Sequence, residues 1–401
     1  MKVLIIGGGA AGFFAAFSVK KHHPEAEVII LEKSSKFLSK VKISGGGRCN
    51  VTNATFNNRI LSEKYPRGEK FLRQAFEQFN AKDTMNWFES RGVALKTYPD
   101  FCVFPLANDS QVIIDCFMRE AKNNDIQLYS HQGVEQITRL ESTFIVHTKT
   151  DQFKANKLII TTGGQPKRDG FRWIEELLVP IIPPVPSLFS FNIEDEPLHQ
   201  LMGNVIEHAS AKIEGQKLKG IGPILVTHWG LSGPAILQLS AWGARILADK
   251  NYNFRILVNW LGDKSEAEVQ LELKKTIQQE ENKQIHNFCP YPFTNRFWNY
   301  LLVKFQIPST LKWKELQGKH FNKLVNGLIN DAFEVHGKTT FKEEFVTAGG
   351  VDIKDIEVKT MQSKTVPNLY FAGEVLDIDG ITGGFNFQAA WTTGYIAGKL
   401  Q

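Results

Sequence analysis

Residues 2–32 read KVLIIGGGAAGFFAAFSVKKHHPEAEVIILE. The apolar run at 2–6 predicts a buried strand, residues 10–22 a helix and residues 27–32 a second strand. Strand, helix and strand in so short a stretch make a βαβ unit, and hence a parallel sheet. Between the first strand and the helix lie Gly7, Gly9 and Gly12, a G-x-G-x-x-G in the context that gives the motif its meaning. Gly7 permits the tight turn, Gly9 lets the backbone approach a pyrophosphate, and Gly12 lets the helix pack against the strand. The start of the helix then offers free N–H groups and a partial positive charge to phosphates. Glu32 follows about 20 residues after the last glycine, where a carboxylate accepts hydrogen bonds from both ribose hydroxyls of an adenosine. It would repel a 2′-phosphate, so the expected nucleotide is FAD or NAD rather than NADP; the spacing does not choose between those two.

Working outward, helical patterns are expected near 69–91 and 110–124, and strands at 143–149 and 153–161. Residues 179–186, VPIIPPVP, hold four prolines, which break helix and central strand alike; a domain crossing is expected there. Short β-type runs follow within 188–258, then charged helical sequence at 264–285, with helical patterns recurring to about 335. From residue 340, TFKEEFVTAGGV, the chain reads as β again, ending in the strand LYFA (369–372) and a helix near 386–399. The expected fold class is α/β: a Rossmann-like dinucleotide-binding domain, split in sequence by an insertion. The expected boundaries are 1–186 for its first part, 187–260 for an inserted β-rich domain, 261–336 for a helical subdomain, and 337–401 for the return.

The 401 residues are 42% hydrophobic and 22% charged, ordinary globular usage that argues against wholesale disorder. A net charge of +5 is too mild to imply nucleic acid by itself. The four cysteines, Cys49, Cys102, Cys116 and Cys289, form neither a disulfide framework nor a zinc spacing, which fits a reducing cytoplasm and no metal site. Residues 3–19 are apolar enough to pass for a signal peptide, yet their glycines weaken a hydrophobic helix and only Lys2 precedes them. A soluble cytoplasmic protein without membrane partners is therefore expected.

Two further glycine-rich segments point to the same ligand. Residues 44–53, SGGGRCNVTN, make a backbone-rich polar loop that can lie against a planar group. Near the end of the chain, LYFA delivers Gly373 and Glu374 to the carboxyl edge of the sheet, where open α/β folds bind ligands. Gly383 and Gly384 then precede a helix whose positive end would stabilise the charge of a reduced flavin.

With GGGAAG, SGGGRCNVTN, THWGLSGPAILQLS (227–240), TAGGV (347–351), TMQSK (360–364) and FAGEVLDIDGITGGFNFQAAW (371–391), the sequence resembles the bacterial YhiN/BaiN-like, aminoacetone-oxidase-type FAD-binding family from end to end. The resemblance implies a two-part FAD domain with an inserted β-barrel and a small helical domain. It also implies non-covalent FAD, with Gly7, Gly9, Ala11 and Gly12 at the pyrophosphate and Glu32 and Lys33 at the adenosine ribose. Lys40, Gly46, Arg48, Cys49 and Asn50 would line the flavin side. Val134 would offer backbone to adenine, and Gly373, Glu374, Gly383, Gly384, Phe385 and Asn386 would complete the site. Leu38 and Ser39 stand where the family usually has glycine and arginine.

The leading functional expectation is an FAD-dependent oxidoreductase acting on a small molecule by hydride transfer. With one dinucleotide fingerprint, NAD(P)H would serve only as a transient donor. Residues 296–323 motivate a second reading, a flavin-dependent RNA-modifying protein, because six basic residues face one acid among interleaved aromatics. The plainer reading of that segment, helices with a buried aromatic face and a solvated basic one, is favoured. A non-enzymatic flavin-binding module is the third. Cys49 is read as a packing rather than a redox residue, and His228 as part of a structural turn. Sequence identifies neither a catalytic acid nor an oligomeric state.

Overall fold

The computed structural model describes residues 1–339 and 346–401; the β-type reading of 340–345 lies outside them. The chain divides into two compact units, Met1–Ser187 with Lys342–Gln401, and Leu188–Phe341.

The first unit is built on a five-stranded parallel sheet of β1 (Lys2–Ile6), β2 (Glu27–Leu31), β3 (Gln127–Tyr129), β4 (Lys157–Ile160) and β5 (Leu369–Phe371), in the order β5-β4-β1-β2-β3. The central strands are apolar on both faces because helices cover both faces of a parallel sheet; Val3 to Ile5 and Leu158 to Ile160 are completely buried. Helix α1 (Ala10–His22) is buried from Ala11 to Val19, since α2 (Phe385–Ala397) lies along it. The two helices approach closely because α2 and its end present glycine: a Cβ at Gly394 would stand 2.6 Å from the Ala11 carbonyl oxygen, and one at Gly398 2.3 Å from that of Ala15. Phe13, Phe14, Phe88, Phe117 and Trp391 pack ring against ring beside this contact. The Trp391 indole N–H is satisfied by the Val51 carbonyl at 2.8 Å.

Several expectations are refined. The pattern at 69–91 forms two helices, Glu69–Ala75 and Ala81–Glu89, because Asn80 caps the second: its side chain accepts from Lys82 and Asp83 N–H while Asp83 accepts from Asn80 N–H. The proline run does not abolish strand structure. Ile181–Ser187 pairs antiparallel with Val346–Val351, and the register shifts between Ile182 and Val185. That irregularity takes up Pro183 and Pro184, which lack a donor, while Pro186 stays in register, since a two-stranded ladder asks fewer N–H groups of each strand.

The second unit holds an antiparallel sheet of seven strands in the order 331–336, 253–259, 205–213, 219–227, 230–232, 190–192, 338–339. It curls so that the strand Ser190–Asn192 contacts Asp331–His336 near the other end. Helix Pro234–Asp249 packs on the strand Lys219–Thr227, and helices Glu266–Gln279, Asn295–Lys304 and Gly318–Asn330 complete the unit. The helical reading to 335 is corrected here: Asp331–His336 is a strand, alternately buried at Asp331, Phe333 and Val335 and exposed at Glu334 and His336. In the basic segment Phe297, Trp298, Tyr300 and Trp313 are buried, while Lys312, Lys314 and Lys319 are not. His228 and Trp229 form the turn between the strands Lys219–Thr227 and Gly230–Ser232. Among the described residues no helix is long and apolar enough to cross a membrane, and no side-chain cluster could hold a metal ion.

Candidate functional site

The site residues named from sequence lie in the first unit, at the carboxyl ends of its parallel strands and on the segments that follow. Gly7 leaves β1 with φ +112° and donates its N–H to the Leu31 carbonyl at 2.8 Å. A Cβ at Gly7 would lie 2.4 Å from the Thr161 carbonyl oxygen, and one at Gly12 would lie 2.0 Å from that of Gly7. Both positions are therefore filled by the protein itself. Gly9, which begins α1, is different: a Cβ there would meet nothing within 4 Å. No side chain caps α1 and its first turn holds no acid. Open space thus faces the uncapped N–H groups of a helix start, the arrangement that fits a pyrophosphate. Ala11 faces Gly373, where a Cβ would stand 2.8 Å from the Ala11 methyl, and Gly373 N–H donates to Thr393 Oγ1 at 2.9 Å.

Glu32 follows β2 and is half-buried. Its Oε2 accepts from Gly8 N–H at 2.9 Å, and its Oε1 from the N–H and hydroxyl of Ser34 at 2.8 and 2.9 Å. These bonds hold the carboxylate beside the glycine turn with acceptor capacity to spare. Gln132 N–H donates to the Glu32 carbonyl at 2.8 Å and His131 N–H to that of Ser34 at 3.1 Å, so the segment leading to Val134 runs beside Glu32 and Lys33. The segment before Val134 is thus a neighbour of the two residues expected at the adenosine ribose.

The expected flavin end brings together stretches far apart in sequence. Asn50 accepts from Gly384 N–H at 3.2 Å and donates to the Thr52 and Val103 carbonyls at 2.9 and 3.2 Å, in the amide orientation its neighbours require. Asn53 donates to the Gly383 carbonyl at 3.2 Å. Gly384 is the left-handed residue at the start of α2, and a Cβ there would strike the Thr52 carbonyl at 2.6 Å. Below it, Gln388 accepts from Thr52 and Thr84 at 2.6 and 2.9 Å and donates to Thr392 at 3.0 Å, a buried and satisfied network that fixes the helix. Lys40 meets Glu374 Oε2 at 2.8 Å, and Glu374 Oε1 accepts Thr347 N–H at 3.1 Å.

The expected loop at 44–53 begins where helical backbone ends: after residues 39–43, Ser44 is extended (ψ 147°) and Gly45 and Gly46 are left-handed. Gly46 is exposed with no atom within 4 Å of its Cβ position. Arg48 lays its guanidinium over the Phe104 ring at 4.4 Å and donates from Nε to the Gly45 carbonyl at 3.1 Å. Cys49 is wholly buried, and burial pushes its thiol up to about 12. Burial and the raised pKa both disfavour the thiolate, the form that reacts. The side chains of Phe385 and Asn386 are likewise committed inward. The Phe385 ring packs on Tyr65, whose hydroxyl donates to the Phe385 carbonyl at 2.7 Å. Asn386 binds both the N–H and the carbonyl of Gly380, at 2.8 and 3.0 Å. They shape the 380–384 turn; what they can offer a ligand is backbone.

Sequence reasoning passed over several supports. Thr161 Oγ1 donates to the carbonyls of Ile6 and Gly7, pinning the first turn from β4. Gly164 packs where a Cβ would lie 2.4 Å from Thr347 Oγ1 and 2.6 Å from Glu374 Oε1. Arg67 forms a bidentate pair with the fully buried Asp379, which also accepts from Ser187 at 2.6 Å. The first two carry a signal, TTGG at the end of a predicted strand; the Arg67 pair carries none, its partners being 312 residues apart.

Set against known proteins, residues 1–400 match the HI0933-like protein Rossmann domain. The chain is 25% identical to the 3-dehydro-bile acid delta(4,6)-reductase of Clostridium scindens, over 99% of this chain and 98% of the relative. It is 27% identical to the ribosomal RNA dihydrouridine synthase of Escherichia coli, over 98% and 96% respectively. Among solved structures, 3-ketosteroid-delta4-(5alpha)-dehydrogenase from Rhodococcus jostii shares the fold at 11% identity, with a TM-score of 0.53 over 100% of this chain and 96% of the other.

Proposed function

This chain belongs to the HI0933-like protein Rossmann domain family, and we propose that, as an FAD-dependent oxidoreductase, it reduces a carbon–carbon double bond conjugated with a carbonyl group. The observation that carries this reading is a shared bond type. One end-to-end relative is named for a delta(4,6) reduction of a 3-dehydro bile acid and another for making dihydrouridine. A double bond conjugated to the 3-oxo group and the ring double bond of uridine present the same problem, an electron-poor C=C that accepts hydride at its far carbon and then a proton, drawn from solvent, at its near carbon. When bound, FAD would supply the carrier for one hydride, that is two electrons with one proton.

The residues that would hold it are those described above. Gly9 leaves room for the pyrophosphate at the α1 start, and Glu32, fixed by Gly8 and Ser34, accepts from the ribose. The α2 start with Gly384 and Asn50, and the Lys40–Glu374 pair, serve the flavin end. That end is lined with backbone and with amides whose hydrogen bonds are satisfied within the protein, and its two charges are paired. The donor is a reduced nicotinamide nucleotide that visits transiently, since the chain has a single dinucleotide fingerprint.

The purified protein should be yellow, bleach anaerobically with NADH or NADPH, and regain colour on addition of cyclohex-2-enone or uridine-containing RNA. Colourless protein that takes up no FAD would overturn the cofactor assignment. Bleached protein recoloured by neither acceptor would overturn the substrate class.

A further inference from the structure

Beside the 45–49 turn lies a depression of about 380 Å³ lined by Arg48, Tyr98, Pro99, Asp100 and Phe104. The segment Leu95–Thr97 and the strand Cys102–Pro105 pair as a hairpin whose tip, residues 98–101, forms its far wall. Phe104 is buried and lies under the Arg48 guanidinium; Tyr98 meets Phe104 edge-on at 5.4 Å and is itself only half-buried. With Nε held by Gly45 and its plane held by Phe104, Arg48 is fixed, and its terminal nitrogens have no protein partner among the described residues. Asp100 is oriented by Cys102 N–H, which it accepts at 3.1 Å, and a carboxylate so bound keeps further lone pairs. The two charged groups form no ion pair with each other among the described residues, although they line one depression. Two residues beyond Arg48, Asn50 holds the N–H of Gly384 at the α2 start. The depression and the proposed flavin end are therefore tied by one short, rigid stretch.

We propose that this depression is the substrate-recognition pocket, and that it takes a flat ring in which a carbonyl is flanked by a ring N–H, as in uracil. Fixed guanidinium nitrogens donate within their own plane to the carbonyl oxygen, Asp100 accepts the N–H, and the ring stacks on Tyr98. Arg48 thereby touches the oxygen on which negative charge develops in the reduction proposed above, where a preorganised donor is worth most. Asp100 is a specificity residue: it rewards an imide and leaves a plain enone unpaired, so the pocket discriminates between the two substrate types that share the bond chemistry. This inference rests on the reductase reading and assigns its substrate end.

Isothermal titration of the FAD-loaded protein with uridine, 3-methyluridine and hexauridylate tests it without turnover. The wild type should bind uridine at least about tenfold more tightly than 3-methyluridine, which lacks the ring N–H. Asp100→Ala, which removes the acceptor, should bring those two affinities within about twofold, and Arg48→Lys should weaken both about tenfold by removing the planar fork. Tighter binding of hexauridylate than of uridine assigns the ring to RNA, and equal affinity to a free nucleoside; both uphold the pocket. A wild type with no preference for uridine, or a preference that survives Asp100→Ala, overturns it. Failure of the flavin reading is visible beforehand as colourless protein, whereas failure of the pocket appears in yellow protein.

Discussion

At Gly12 a methyl group would strike the Gly7 carbonyl oxygen at 2.0 Å, whereas at Gly9, three residues earlier, it would meet nothing within 4 Å. The later glycine stretch at 45–50 divides in the same way: a Cβ at Gly45 would press on Asn50 N and the Phe104 ring at 3.1 Å, and one at Gly46 would stand free. The two stretches differ in what holds them. The first is pinned by neighbouring strands of one sheet, through Leu31 and Thr161. The second depends on α2, reached by Asn50 from more than 300 residues away in sequence. Glycine spacing thus mixes positions closed by packing with positions left open, the ones we propose face a ligand, and only contact geometry separates them.

Substitutions can break that distinction. The largest effect is expected at Gly12→Val, which should cost about 3 kcal/mol or more, read as lost soluble yield or a collapsed melting temperature, because backbone oxygen cannot yield to the new side chain. Gly9→Val should leave the apoprotein melting within a few degrees of wild type yet weaken FAD at least about 100-fold, roughly 3 kcal/mol, by occupying the open cradle. If both variants behave alike, the division into filled and open glycines fails. Asn50→Ala should destabilise by about 2 kcal/mol in chemical denaturation, since it strands the Gly384 N–H and the Thr52 and Val103 carbonyls. The smallest effect concerns Cys49. With its thiol raised to about 12 by burial, the thiolate is scarce below that pH. Cys49 should therefore resist iodoacetamide at pH 8 in native protein and react on unfolding, where the pKa falls to its ordinary value. Rapid native labelling would place Cys49 outside the packed interior.

Much of the first unit was legible because local physics fixed it. Helix α1 spans the predicted 10–22, and β1 and β2 follow the apolar runs that predicted them. The strand at 331–336 was misread as helix because its neighbours carry a helical period and DAFEVH is too short to announce its own. The prolines at 183–186 obscured a strand whose partner lies across the insertion. Similarly, the composition of residues 296–323 left open whether the aromatics were available; burial of Phe297, Trp298 and Trp313 in a helical core was a question of packing.

What the residues determine unaided is the βαβ unit at the expected nucleotide end: glycine spacing after a buried strand and an acid at the tip of the next depend on contacts within thirty residues, where chain geometry leaves few choices. The far end is a property of the fold. Lys40 meets Glu374, Asn50 meets Gly384 and Arg67 meets Asp379 only after the sheet has carried β5 alongside β4. Side chains separated by hundreds of residues have no local signal to announce that they will share a hydrogen bond.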